Sequence, residues 1–151
     1  MRPNAVNGDG NVTRSAPELG DQLAYIIACV NRRLEEQLAD RLRPDGLPIE
    51  QFRILEALSQ RGPLAMGELA AFALVERPTL TKIIDRMTAA GLVFRSPDAH
   101  DRRRVNIVLS PEGESLHRRL RDVSAEQERQ LAERLDGAEA EALRGLLRTL
   151  A

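Results

Sequence analysis

The chain has 151 residues, 42% hydrophobic and 30% charged, which suits a domain-sized core under a hydrated surface. Aromatics make up 3% and Trp is absent, which argues against a reader that stacks unpaired bases on aromatic platforms. A single cysteine, Cys29, excludes an intramolecular disulfide framework and a multi-cysteine zinc site. The net charge of −1 hides a division: residues 77–104 hold 7 basic and 3 acidic side chains, net +4, between flanks of net −3 and −2. Local rather than total charge sets a phosphate footprint, so the block matters more than the sum. Two histidines, His100 and His117, leave little for a catalytic triad or a metal set, and neither a cofactor nor a metal is expected. No apolar run approaches the roughly 20 residues that span a bilayer, and the first twenty residues lack the apolar stretch of a secretory signal. The expectation is a cytoplasmic protein with no membrane partner.

Residues 1–17 are rich in Asn, Gly, Pro and Ser and read as a flexible arm. From Leu19 to Arg43, Leu23, Ile26, Ile27, Val30, Leu34, Leu38 and Leu42 recur at spacings of three and four, one face of a long helix. Such a helix would run about 37 Å, longer than a domain of this size needs for its own core. Arg43 to Pro48 punctuates it. A second helix is expected from Ile49 to Gln60, a short third from Met66 to Ala73, and a fourth from Arg77-Pro78 with Leu80, Ile83, Ile84 and Met87 inward. Pro suits the first turn of that fourth helix and Gly91 its end. Leu92–Arg95 and Arg104–Leu109 read as two strands around a polar turn. Ser110-Pro111-Glu112-Gly113 opens a helix carrying Leu116, Leu120, Val123, Leu131 and Leu135; Asp136 can cap a last one carrying Leu143, Leu146, Leu147 and Leu150.

This order predicts a mainly α chain with a small two- to three-stranded antiparallel β wing: a winged helix-turn-helix between long N- and C-terminal dimerisation helices. The expected divisions are an arm at 1–17, a dimerisation helix at 18–46, a winged helix-turn-helix at 47–110 and C-terminal dimerisation helices at 111–151. A fourth helix of this size fits a major groove, which admits one α-helix. The apolar stripes of the end helices need a partner, and a second copy is the simplest one.

Around the N-terminal turn of the fourth helix, Arg77, Pro78, Thr79, Thr81 and Lys82 are left outward. Arg and Lys can donate to guanine, and Thr can hydrogen-bond or offer a methyl to thymine. The turn between the strands carries Asp101, Arg102, Arg103 and Arg104; guanidinium groups suit a narrow minor groove, and Asp101 can orient Arg103. The plain alternatives are an ordinary exposed helix and a solvated loop.

The stretch from Gly91 to Gly113, GLVFRSPDAHDRRRVNIVLSPEG, closely resembles the wing signature of the MarR family of bacterial transcriptional regulators. Its matching elements are Gly91-Leu92-Val93, Arg95, Asp101-Arg102-Arg103, Val105, Leu109-Ser110 and Gly113. Arg77 to Met87 is similar to the family's recognition helix, and Gln51 to Leu58 to its second helix. The resemblance implies a homodimer joined by its first and last helices on a pseudo-palindromic duplex operator. It places Arg77, Pro78, Thr79, Thr81 and Lys82 at the major groove and Arg103, positioned by Asp101, in the minor groove. Arg86, Arg95, Arg102 and Arg104 become phosphate candidates or structural partners. Three helix-capping slots that often hold Ser or Thr carry Pro48, Ala65 and Glu76, and a Gly common before the recognition helix is Leu74.

The resemblance also implies a small aromatic ligand in a crevice, for which Tyr25, Cys29, Arg32, Phe52 and His117 are candidates. Each has a structural alternative: core packing for Tyr25 and Phe52, a solvated face for Arg32 and for His117, which has no visible partner set. Cys29 is expected to be buried and inert, as free cysteines often are; the peroxide-sensing subgroup places its cysteine nearer the helix start. The function expected is a sequence-specific double-stranded DNA-binding regulator and not an enzyme, a repressor released by a small ligand. The alternatives are a winged-helix protein–protein module without DNA binding and a Cys29-based redox regulator.

Overall fold

The computed structural model describes residues 17–98, 101 and 104–151. The chain divides into two compact units, Met1–Arg33 and Leu34–Ala151. The expected arm at 1–17 lies, except for Pro17, outside the described residues.

In the first unit a single 3-10 turn, Leu19–Asp21, precedes α1 (Leu23–Leu42), so the helix starts later than the apolar spacing suggests. Its Leu23, Tyr25, Ile26, Ile27 and Val30 are exposed.

The second unit holds the C-terminal end of α1, α2 (Ile49–Arg61), β1 (Leu64–Ala65), α3 (Met66–Ala73), α4 (Arg77–Ala89), β2 (Val93–Pro97), β3 (Val105–Leu109), α5 (Pro111–Ala132) and α6 (Gly137–Arg148). The architecture is the expected one, mainly helical with a winged helix-turn-helix at α2 to β3. The sheet has three antiparallel strands in the order β1-β3-β2. Two residues of β1 carry no periodicity, which is why the strand is invisible before pairing: Leu64 stands opposite Ile107 and Ala65 opposite Asn106.

One core joins these elements. Leu42, Ile54, Leu55, Leu69, Leu80, Ile84, Met87 and Ile107 are fully buried, drawn from α1, α2, α3, α4 and β3. Each contributes about 2 kcal/mol by leaving water. Val93 and Ile107 lie on one sheet face, turned into the core, while Phe94 on the other face stays exposed.

Local backbone chemistry sets the joints. α4 ends in a Schellman motif: the Leu92 N–H donates to the Met87 carbonyl at 2.9 Å and the Gly91 N–H to the Thr88 carbonyl at 3.0 Å. Gly91 supplies the left-handed conformation, φ 71°, that this ending requires. The turn from α3 to α4 has the same pattern, Val75 N–H to Ala70 and Leu74 N–H to Ala71, but the left-handed residue is Leu74, with φ 57° and ψ 44°. A Cβ in that region costs about 1 kcal/mol.

The α5 start is crowded. The Ser110 hydroxyl accepts the Gly113 N–H at 3.0 Å and donates to the Gly91 carbonyl at 2.5 Å, while the Ser110 N–H donates to the Leu92 carbonyl at 3.0 Å. A Cβ on Gly113 would stand 2.1 Å from that Leu92 oxygen. The expected Asp136 cap is in place, its carboxylate accepting the Glu139 N–H at 2.7 Å. By contrast Pro48, Ala65 and Glu76 make no side-chain cap bond to α2, α3 or α4.

Two substitutions are expected to move stability in opposite directions, read from urea denaturation midpoints. Leu74→Gly removes the left-handed strain from a side chain 70% exposed and should stabilise by roughly 0.5–1 kcal/mol. Gly113→Ala forces backbone apart at the α4–α5 joint and should cost about 3 kcal/mol.

Candidate nucleic-acid interface

α4 buries Leu80, Ile84 and Met87 and leaves Arg77, Pro78, Thr79, Thr81, Lys82 and Arg86 exposed. The 3.6-residue period dictates this split once the apolar stripe is docked. The Thr81 hydroxyl donates to the Arg77 carbonyl at 3.1 Å, so its proton is used along the helix and it offers a methyl and a lone pair outward. Glu76 stands at the N-cap without a capping bond, a negative charge at the end where the helix leaves its own N–H groups open.

The wing is fastened to this helix. Arg95 lies on the same sheet face as Val93 and Ile107 and its Nη2 donates to Asp85 Oδ1 of α4 at 2.7 Å. Of the two roles open to Arg95, phosphate contact or structural partner, this geometry supplies the second, though 42% of its side chain remains exposed. At the far end of the hairpin, Asp98 closes the loop. One carboxylate oxygen accepts the Asp101 N–H at 2.9 Å and the other the Asn106 Nδ2 at 2.8 Å. Backbone bonds complete it, Asp98 N–H to the Arg104 carbonyl and Arg104 N–H to the Asp101 carbonyl, both 2.9 Å. Sequence reading passed over Asp98 and Asn106. A signal was available: Asp is a frequent turn residue because its short carboxylate accepts backbone N–H groups a few residues along the chain. Asp101 and Arg104 are exposed; Arg102 and Arg103, named above for phosphate and minor-groove contacts, lie outside the described residues. Among the described residues, no carboxylate pairs with Arg77, Lys82, Arg86 or Arg104.

A MarR family profile matches residues 45–104, the span from before α2 to the end of the wing loop. A MarR family transcriptional regulator from Silicibacter pomeroyi is 30% identical, with a TM-score of 0.77 over 89% of this chain and 96% of that one. The chain belongs to the MarR family. It also resembles the transcriptional repressor CouR bound to a 23-mer DNA duplex, at 26% identity and a TM-score of 0.77, covering 88% of this chain and 94% of that one. The regulator FarR from Neisseria gonorrhoeae is 37% identical over 89 residues, 56% of this chain and 61% of the relative's own length.

Of the residues named for a ligand crevice in this MarR-family chain, Phe52 and His117 border two different clefts of the second unit. Phe52 is 3% exposed and belongs to the core, the structural alternative foreseen for it. Its edge borders a cleft of about 360 Å³ among α1, α2, α3 and α5, with Leu38, Arg53, Arg61, Phe72 and Gln127. There the Arg61 guanidinium sits 4.8 Å from the Phe72 ring centroid, Arg53 pairs with Glu35 at 3.0 Å and Gln127 donates to the Leu34 carbonyl at 2.8 Å. Neither Arg61 nor Phe72 was foreseen, because α2 and α3 meet only after folding. His117 corrects the expectation of a solvated, partnerless ring: its side chain is 15% exposed, and Nε2 lies 3.4 Å from Glu56, whose other oxygen accepts the Ser124 hydroxyl at 3.1 Å. It borders a different cleft, of about 420 Å³, with Leu58, Pro63 and Val108.

Tyr25, Cys29 and Arg32 are exposed on the first half of α1. Cys29 is exposed, which corrects the expectation of a buried thiol. Hydrogen bonding to Cys29, and then the charge of its thiolate, hold the Tyr25 phenol above its ordinary pKa. Among the described residues no group of three or more His, Cys, Asp or Glu could hold a metal, and no helix is long and apolar enough to cross a membrane.

Asp98→Ala should free the wing loop without unfolding the domain. Amide hydrogen exchange at Asp101 is expected to speed up at least tenfold, with a stability loss of only about 1 kcal/mol.

Proposed function

We propose that this chain is a homodimeric, sequence-specific regulator of transcription that binds duplex DNA and represses until a small aromatic ligand releases it. The observation that carries the reading is the basic edge of α4, Arg77, Lys82 and Arg86, without carboxylate partners among the described residues, on the helix to which Arg95 and Asp85 fasten an Arg-rich wing. In this reading Arg77, Pro78, Thr79, Thr81 and Lys82 meet a major groove, Arg103 enters the minor groove beside Asp101, and Arg86, Arg102 and Arg104 hold phosphates. The likeness to a DNA-bound repressor supports it.

The dimer reading rests on exposed apolar faces at both ends of the chain, Leu23, Ile26 and Val30 on α1 and Leu143, Leu146 and Leu147 on α6. A second copy covering them would set two recognition helices one helical turn apart on a pseudo-palindrome. The effector reading places an aromatic acid in the cleft of Phe52 and Phe72, its carboxylate on Arg61. Coupling of about 2–3 kcal/mol between that cleft and DNA would empty most operators. The cytoplasm is the compartment in which such a protein would work. The exposed Cys29 favours a second reading, a thiol-sensing regulator; unchanged peroxide release of DNA in Cys29→Ser would exclude it.

The test is fluorescence anisotropy with duplex from the intergenic region upstream of the chain's own gene, against an unrelated duplex, over a salt series. Affinity should fall by about 0.9 log units per log unit of salt for each phosphate contacted. Arg103→Ala should weaken binding at least tenfold with unchanged unfolding. Weak, salt-insensitive binding to both duplexes would sink the DNA reading and leave the protein–protein module.

A further inference from the structure

Gly67 is the second residue of α3, where its backbone is not in the left-handed region that glycine serves elsewhere in the chain. Nothing local demands glycine there, and alanine is the better helix former. What a side chain at 67 would meet is specific. A Cβ would stand 3.0 Å from Arg77 Nη2 and 3.7 Å from Arg77 Cζ, and, its chain neighbours and its own helix backbone aside, against no other atom within 4 Å. The Arg77 guanidinium, from the first residue of α4, thus lies across the opening turn of α3, and the bare backbone of Gly67 is the floor beneath it.

We propose that Gly67 is a positioning residue for Arg77, keeping open the place over α3 where that guanidinium rests before duplex arrives. The inference rests on the reading of the α4 N-terminal turn as the duplex-facing edge. An arginine side chain has many rotamers, and holding one of them in advance lowers the entropy lost on docking. Among the described residues no carboxylate pairs with Arg77, and what its guanidinium lies against is this floor. A methyl at 67 would displace the guanidinium by a few tenths of an ångström, a shift the flexible end of a side chain absorbs without disturbing the fold.

The experiment is a double-mutant cycle of wild type, Gly67→Ala, Arg77→Ala and the double variant. Each is titrated by anisotropy with the upstream intergenic duplex and with a random-sequence duplex at low salt, and each is unfolded in urea. Gly67→Ala is expected to be at least as stable as wild type yet to bind threefold to tenfold more weakly, and to have no further effect once Arg77 is alanine. Wild-type affinity in Gly67→Ala overturns the proposal. So does an equal loss in both Arg77 backgrounds, which would make residue 67 a contact in its own right. A destabilised Gly67→Ala would assign the glycine to the fold and overturn it too. Arg77→Ala binding like wild type would remove the contact that Gly67 is said to position. Failure of the broader DNA reading shows separately, as a wild-type protein without salt-steep duplex affinity, and takes the proposal with it.

Discussion

The approach of the Gly113 backbone to the Leu92 carbonyl governs how the parts of the winged domain meet. Leu92 directly precedes β2 and Gly113 sits in the first turn of α5, directly after β3, so the contact closes the base of the hairpin. The same few atoms hold the Schellman ending of α4, through Gly91 and Leu92, and the N-cap of α5, through Ser110. A side chain at 113 would put its first carbon 2.1 Å from a backbone oxygen that already accepts the Ser110 N–H. The direction of α4, the root of the wing and the start of α5 therefore share one steric condition. None of them can be displaced alone, because interiors this close do not deform continuously.

Beyond that joint, the acidic residues inside the basic block are spent on geometry. Asp85 takes Arg95 and ties the wing to α4, and Asp98 closes the wing loop on Asp101 and Asn106. What they leave is positive charge on Arg77, Lys82, Arg86 and Arg104, exposed and without carboxylate partners among the described residues. A near-neutral chain thereby presents a basic edge. Surface pairs contribute little to stability, so the value of Arg95–Asp85 lies in fixing the relative placement of two elements.

Stabilisation is unevenly spread. α5 and α6 have N-cap side chains that cap them, Ser110 and Asp136, whereas the N-cap residues of α2, α3 and α4 supply none, α3 having only the Glu68 carboxylate on the Ala65 N–H, and Leu74 strains the turn between α3 and α4. The helix-turn-helix is held by the burial of Leu55, Leu69, Leu80 and Ile84 rather than by its ends. Its corner, with Leu74, Glu76, Arg77 and Gly67, is where local preference and observed backbone disagree most. The Arg61–Phe72 pair over the neighbouring cleft links the end of α2 to α3 close to that corner in sequence.

Much of this was legible in the residues alone. Spacings of three and four placed α2 to α5 within a few residues, because a helix in a small domain must put one apolar stripe inward. Pro at a first turn, Gly91 after a last one, Ser110 and Asp136 before others marked the boundaries by local backbone chemistry. The basic block from 77 to 104 and the split of α4 into inner and outer faces followed from composition and period. Apart from the local Asp98–Asp101 bond, the missed features depend on residues brought together by pairing or packing: β1 exists only by pairing with β3, His117 acquires Glu56 and Ser124, Phe72 meets Arg61, and Asp98 reaches Asn106 across the hairpin. Cys29 was misjudged because residue type carries a burial preference, while actual burial depends on which surfaces the rest of the chain brings over it. Sequence by itself determined the elements, their inward faces and the charge they carry, since those arise from neighbours within a turn or two. Only the tertiary structure decided which charges are paired, which cleft each side chain borders and why residues 67 and 113 lack side chains, since those are set by atoms that folding brings together.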